Sequence, residues 1–200
     1  AIDYATMEAM VGRLAHRLAE GIAAKGLPGG SRVAAWLPKG VLAALLPLAV
    51  TRAGHVYVPI NPLLKRAQVA HILQDSGAAI LISQPARLGT LDKDDVPGGT
   101  ILLIESELLA VAEDGVATAT EPGNGQPDDL AEILYTSGST GRPKGVMLSH
   151  ANLMIGARSV ASYLGLGVDD RTLALLPLSF DYGQNQLFST WWAGGCVVPL

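Results

Sequence analysis

Two hundred residues suffice for one large domain or two small ones, and a composition that is 49% hydrophobic and 16% charged excludes a disordered chain. A net charge of −4 without clustered Lys or Arg argues against nucleic acid as a partner. The single cysteine, Cys196, cannot form an internal disulfide and points to a reducing, cytoplasmic setting.

In chain order, residues 1–20 read as a charged amphipathic helix and lack the basic stretch and apolar block of a signal peptide. Met7, Met10, Val11, Leu14, Leu18 and Ile22 recur at three- and four-residue spacing, which sets one apolar stripe against a core. Thr6 is the expected cap at its start and Gly26 at its end. Residues 32–37 follow as an apolar strand and 41–53 as a very apolar helix stopped by Gly54. The window 33–50 holds Pro38, Lys39 and Pro47, so it breaks well short of the roughly 20 residues of a membrane span. Strand 56–60 leads into Asn61 and Pro62, helix 65–75 carries Val69, Ile72 and Leu73 and stops at Gly77, and strands are predicted at 78–82 and 101–104. Continuous apolar strands alternating with helices need a mostly parallel sheet flanked by helices, so the fold class is α/β.

Between Glu105 and Asp129 the pattern dissolves into Glu, Asp, Gly, Thr and Pro, which predicts a flexible surface loop. Order returns with strands at 133–136 and 145–148, a helix at 149–164, a strand at 172–176, a helix at 184–193 and, from Cys196, a strand with no partner in sight. The expected organisation is an N-terminal α/β portion at 1–104, the loop at 105–129, and a second portion of the same large domain at 130–200.

One segment carries chemistry. Residues 135–145, YTSGSTGRPKG, sit between two strands and combine three Gly, a row of hydroxyls and two cations. Small residues let backbone N–H groups converge on an anion, Thr136, Ser137, Ser139 and Thr140 can donate to phosphate oxygens, and Lys144 adds a mobile positive charge. The NTPase P-loop does not fit: counting from Gly138, the place that needs Gly is Pro143, and Lys144 runs into a strand and not a helix.

Residues 135–145 resemble the phosphate-binding signature of the adenylate-forming superfamily: AMP-dependent acyl-CoA synthetases and ligases, peptide-synthetase adenylation domains and luciferases. Residues 52–62 (RAGHVYVPINP) and 70–77 (AHILQDSG) are similar to its early core motif, and 176–183 (LPLSFDYG) to its acyl-pocket motif. The resemblance implies the N-terminal part of such an enzyme, with the lid domain and its catalytic Lys beyond residue 200. It implies activation of a small carboxylic acid by ATP to acyl-AMP and pyrophosphate, then transfer to CoA or a carrier-protein thiol. Thr136, Ser137, Gly138, Ser139, Thr140 and Gly141 would hold the triphosphate, with Lys144 as charge partner. Mg²⁺ would arrive with ATP, its protein ligand lying in a later motif. The 200 residues alone are expected to be inactive or nearly so.

Phe180, Asp181, Tyr182 and Gly183 are the expected substrate-binding residues. Amino-acid-activating relatives place Phe-Asp here, so Asp181 can grip a substrate amine, which makes amino-acid adenylation the alternative activity; Asp181 can equally cap the helix that follows. The continuation 182–187 more nearly resembles acyl-CoA ligases encoded with exosortase systems. A noncatalytic nucleotide-binding module is the alternative from another class. His16, His55, His71 and His150 lack metal-ligand spacing, so no protein-built metal site is expected. Tyr135 and the pair Trp191 and Trp192 are expected in buried surfaces. Acyl substrate and oligomeric state are not legible.

Overall fold

The computed structural model describes residues 1–116, 118–120, 125–136 and 142–199. The first helix, α1 (Tyr4–Ala24), buries Met10, Val11, Leu14, Ala15, Leu18 and Ile22 along the predicted stripe. Its N-cap is Asp3, whose carboxylate accepts from the Thr6 amide, so the expected cap Thr6 is the bonded donor instead. At the other end Gly26 takes φ 64°, the left-handed turn that lets the chain leave.

Strands β1 (Arg32–Trp36), β2 (Val56–Pro59) and β3 (Ile80–Ser83) alternate with helices α2 (Val41–Arg52) and α3 (Arg66–Ser76). A single turn, α4 (Pro85–Leu88), and a 3₁₀ turn at Lys93–Asp95 lead to β4 (Ile101–Ile104). Then come α5 (Glu105–Glu113), β5 (Leu130–Thr136), β6 (Lys144–Ser149), α6 (His150–Leu164), β7 (Arg171–Ala174), α7 (Asp181–Trp192) and β8 (Cys196–Pro199).

Among the described residues the main sheet runs β4-β3-β1-β2-β5-β6, parallel except for the antiparallel β5–β6 pair. Both faces of β1, β2 and β3 are covered, which is why those strands are apolar without alternation, whereas Leu102 of β4 and Val146 and Met147 of β6 are exposed. Val33, Ala35, Ile80 and Ile82 pack into a cluster with α1, α2 and α5. Ala34, Trp36, Val58 and Leu81 face the other way, onto Val69, Ile72 and Leu73 of α3.

Two expectations change. The segment 105–129 does not dissolve at once: α5 buries Leu108 and Ala112, one turn apart, and Arg13 of α1 donates twice to the Ala112 carbonyl. Two buried positions are too few to show in a composition. The strand from Cys196 is also not a lone edge, since β8 pairs in parallel with β7 from Arg171↔Cys196 to Ala174↔Pro199. A parallel partner lies a crossover away, here α7, so adjacent sequence does not announce it.

Leu46 is fully buried in the first cluster. Leu46→Ala is expected to cost about 2–5 kcal/mol in urea unfolding, from lost burial plus a residual cavity.

Candidate functional site

The phosphate-loop residues Ser137, Gly138, Ser139, Thr140 and Gly141 lie outside the described residues, but both shoulders of the loop are defined. Thr136 ends β5 and Lys144 begins β6, and the two are opposite each other in the antiparallel register, both exposed. The hairpin thus brings a hydroxyl and an ammonium side chain to the mouth of the loop.

Helix α3 braces this hairpin twice. The Tyr135 hydroxyl donates to Asp75 Oδ2 at 2.6 Å, and His71 Nε2 donates to the Pro143 carbonyl at 2.9 Å. The Tyr135 ring is buried against α3, as expected, and burial with the Asp75 carboxylate beside it pushes its ionisation well above the ordinary range. Across the ladder Gly145 leaves space for it: a Cβ there would lie 2.7 Å from Ile133 Cγ2 and 3.2 Å from Tyr135 Cζ. The glycine is a packing requirement.

Side chains alternate along a strand, so Ile133 and Tyr135 face α3 while Glu132, Leu134 and Thr136 share the opposite face. Above that face α7 and α6 enclose a cavity of about 210 Å³, lined by Leu134, Leu148, Asn152, Leu153, Gly156, Asp181, Gln184, Asn185 and Phe188. Asp181 is exposed at its rim and Gln184, one turn on, is buried. The N-cap of α7 is the extended Phe180, without a side-chain cap bond, and Asp181 sits in the first turn. Asp181 therefore does not cap the helix; its carboxylate lies near the positive helix end and faces the cavity. Phe180 and Tyr182 are exposed and do not line that cavity, and Gly183 is buried where a Cβ would overlap the Pro177 carbonyl. Of the four predicted substrate residues, the fold brings Asp181 alone to this cavity.

Glu132 was invisible as a site residue. It is 1% exposed, its Oε1 accepts from Gln184 Nε2, and its Oε2 has no partner among the described residues. Burial raises its pKa to about 8, the Gln184 bond working against this and the Asp181 charge adding to it. The available signal was a carboxylate inside the apolar run 130–135, which was missed because the strand was expected to start at Ile133, past Glu132.

The remaining candidates fall elsewhere. His150 opens α6 next to Ser149, which caps the helix through the Asn152 amide, and lines an apolar cavity with Leu153, Phe188 and Trp191. Trp191 is half-buried against the first core cluster, whereas Trp192 is 53% exposed, with the Arg158 guanidinium 5.5 Å above its ring; a helix end is too narrow to bury both. Among the described residues no three His, Cys, Asp or Glu side chains gather as a metal site, and no helix is long and apolar enough to cross a membrane. A magnesium ion would find no carboxylate cage among these residues.

The sheet, the braced hairpin and the acid-bearing helix define an enzyme class, which comparison makes specific. Residues 3–200 match the model of the family described as AMP-binding enzyme, and the chain belongs to that family. It is 33% identical over 186 residues to tyrocidine synthase 3 of Brevibacillus parabrevis, covering 92% of this chain and 3% of that protein. ATP-bound MatB of Rhodopseudomonas palustris superposes with a TM-score of 0.86 at 32% identity, over 100% of this chain and 40% of that one. A fatty acyl CoA synthetase of Mycobacterium tuberculosis gives 0.84 at 28% identity, over 98% of this chain and 39% of that one. The chain thus spans well under half the length of these relatives. Adenylate-forming enzymes, peptide synthetases and acyl-CoA synthetases alike, are its kin.

Gly145→Ala forces Ile133 and the Tyr135 ring apart and is expected to destabilise the protein by about 1–3 kcal/mol in urea unfolding. Glu132 gives a pH signature: its pKa rises from 4.5 to about 8 on folding, so the neutral acid's contribution is full below about pH 4.5 and is lost as pH climbs through about 8. The stability of the natural protein relative to Glu132→Gln should therefore decline steadily from about pH 5 to about pH 9. A difference that is flat with pH would show Glu132 ionised throughout.

Proposed function

We propose that this chain carries the nucleotide-phosphate end and part of the acid pocket of an ATP-dependent acid-activating ligase. The substrate carboxylate oxygen attacks the α-phosphorus of ATP, the bond to the bridging oxygen breaks, and pyrophosphate leaves. A thiol, CoA or a carrier protein's, then attacks the acyl carbonyl and AMP departs, giving the thioester. The observation that carries this reading is the hairpin mouth, where Thr136 and Lys144 face each other across the loop sequence SGSTG.

Such a displacement needs the leaving pyrophosphate held in line and its charge opposed, which is mostly positioning and electrostatics. Thr136 through Gly141 would supply donors to the phosphate oxygens, Lys144 a mobile cation whose exposed position lets it follow the leaving group. The brace from α3 fixes the base of the hairpin at Tyr135 and Pro143. Asp181, at the rim of the cavity on the same face of β5 as Thr136, would orient the acid.

The test is acid-dependent ATP–pyrophosphate exchange by the full-length protein, followed by CoA-dependent thioester formation. Exchange is expected to appear with at least one class of acid and to fall about tenfold or more in Lys144→Ala, the loss of one charge-assisted contact. Cleavage of ATP to ADP and phosphate without exchange would overturn the reading. The 200 residues alone are expected to give no measurable exchange.

A further inference from the structure

We propose that His71 of α3 is a positioning residue for Lys144: by holding the Pro143 carbonyl it sets the direction in which the lysine side chain meets the departing pyrophosphate. The inference rests on the ligase reading and adds to it a residue from outside the loop. It starts from what does and does not hold Lys144. The side chain is exposed, and among the described residues no carboxylate pairs with it. An ammonium on a flexible four-carbon stem without a partner points where its backbone sends it.

The backbone there is held unevenly. On the outgoing side Tyr135 is fixed by its buried ring, by the ladder and by its bond to Asp75. On the returning side the last ladder pair among the described residues is Thr136↔Lys144, and Pro143 lies one residue beyond it. Proline has no N–H, so its carbonyl is the one backbone group by which Pro143 can be tied down. His71 Nε2 donates to that carbonyl at 2.9 Å from 72 positions away. No other side chain among the described residues bonds to residues 142–144.

The geometry of the peptide unit carries this bond to the lysine. The Pro143 carbonyl oxygen, the Lys144 nitrogen and the Lys144 Cα lie in one plane. The proline ring fixes its own φ, which leaves rotation of that plane as the soft motion next to Lys144. A donor on the oxygen stops the rotation and with it the swing of the lysine stem. His71 is available for this because it lies outside the buried stripe of α3, which is Val69, Ile72, Leu73 and Ser76. It shares a flank with Asp75, one turn on. One helical flank thus grips both limbs of the hairpin, Asp75 just before Thr136 and His71 just before Lys144. Misplacing a charged group by an ångström is costly in an in-line displacement, so the bond acts on the rate of the step more than on the binding of ATP.

Four variants of the full-length protein test this: His71→Leu, His71→Gln, Lys144→Ala and the double variant of the first and third. ATP–pyrophosphate exchange is measured for each. In the chains that keep Lys144, its acetylation by acetic anhydride is followed by mass spectrometry with and without saturating ATP. His71→Leu is expected to lower kcat for exchange about fivefold or more, the scale of one hydrogen bond, with KM for ATP changed less than about twofold. His71→Gln, whose amide nitrogen can take the place of Nε2, is expected to restore most of the rate. ATP is expected to slow acetylation of Lys144 about tenfold in the natural protein and in His71→Gln, and less than about threefold in His71→Leu. In the Lys144→Ala background the histidine change should add nothing, because the two residues act as a unit. His71→Ala, with the best helix former, takes the place of His71→Leu if that variant does not fold. An additive loss in the double variant, a change confined to KM, or protection of Lys144 that is absent or equal in His71→Leu and the natural protein overturns the proposal; exchange by the natural protein then leaves the ligase reading standing. ATP that protects Lys144 only when His71 is present, but drives no exchange with any acid, supports the positioning role and sinks the ligase reading.

Discussion

The alternation of side chains along β5 is the constraint on which the rest of the site depends. A strand offers its neighbours two faces and no choice about which residue goes where. On one face Ile133 and Tyr135 bind the strand into the core under α3, with Tyr135 bonded to Asp75. On the other, Glu132, Leu134 and Thr136 follow one another from the covered interior to the open mouth of the hairpin. A slip of one residue would put the tyrosine in the cavity and the glutamate into an apolar core. The Tyr57↔Glu132 pairing with β2 and the steric fit of Gly145 against Tyr135 hold that register from both sides.

Where local pattern and tertiary packing agree, the sequence was readable. Strands β1 to β3 are buried on both faces, so apolar content alone locates them and the partly exposed β4; the predicted stripe of α1 is buried from Met10 to Ile22, with Met7 half-buried at its start and Ala15 added to it. Elements held by contacts distant in sequence were not. The end of α5 is fixed by Arg13, 99 residues away, and β8 is fixed by β7 across α7. The expected start of α7 at Gln184 lies three residues late: the helix begins at Asp181, and Gly183 is helical and buried where a Cβ would overlap the Pro177 carbonyl. The phosphate-loop motif is the most specific signal the sequence offers for the candidate site, being a local run of hydroxyls, glycines and cations, while Ser137 to Gly141 lie outside the described residues. The acid beneath the cavity is the least legible, since a Glu in a strand says nothing by itself about which side chain meets it.

The approach of the chain into α7 shows how the two parts of the structure are joined. Lys39, in the turn after β1, donates to the carbonyls of Ala174 and Leu175 at 2.7 and 2.8 Å, tying the end of β7 to the main sheet. Burial lowers the pKa of this ammonium, but two carbonyl acceptors suit its charged form. From there residues 175–180 descend to the helix, and the contact of Gly183 with Pro177 sets how closely they do so. The position of Asp181 is thereby determined by a lysine near the N-terminal strand and by the absence of a side chain two residues later, not by any contact of its own.

That inheritance of position matters most for the buried acid. A carboxyl group with one unpaired oxygen and no cation nearby weakens a core, and replacing such groups with well-packed hydrophobic residues is often neutral or stabilising. Among its surroundings the Asp181 charge disfavours ionisation of Glu132, and a charge on Glu132 would in turn hold the buried Tyr57 hydroxyl protonated. Among the described residues the Glu132 side chain accepts one hydrogen bond, from Gln184 Nε2, and Gln184 Oε1 has no partner. Each satisfies one polar group of the other and, among the described residues, each keeps one oxygen unpaired, with Gln184 lining the cavity. A pair of this kind gives packing no advantage over two leucines. What distinguishes it from them is its response to pH, since burial holds the proton on Glu132 up to about pH 8 and the group then ionises, a change that leucine cannot make.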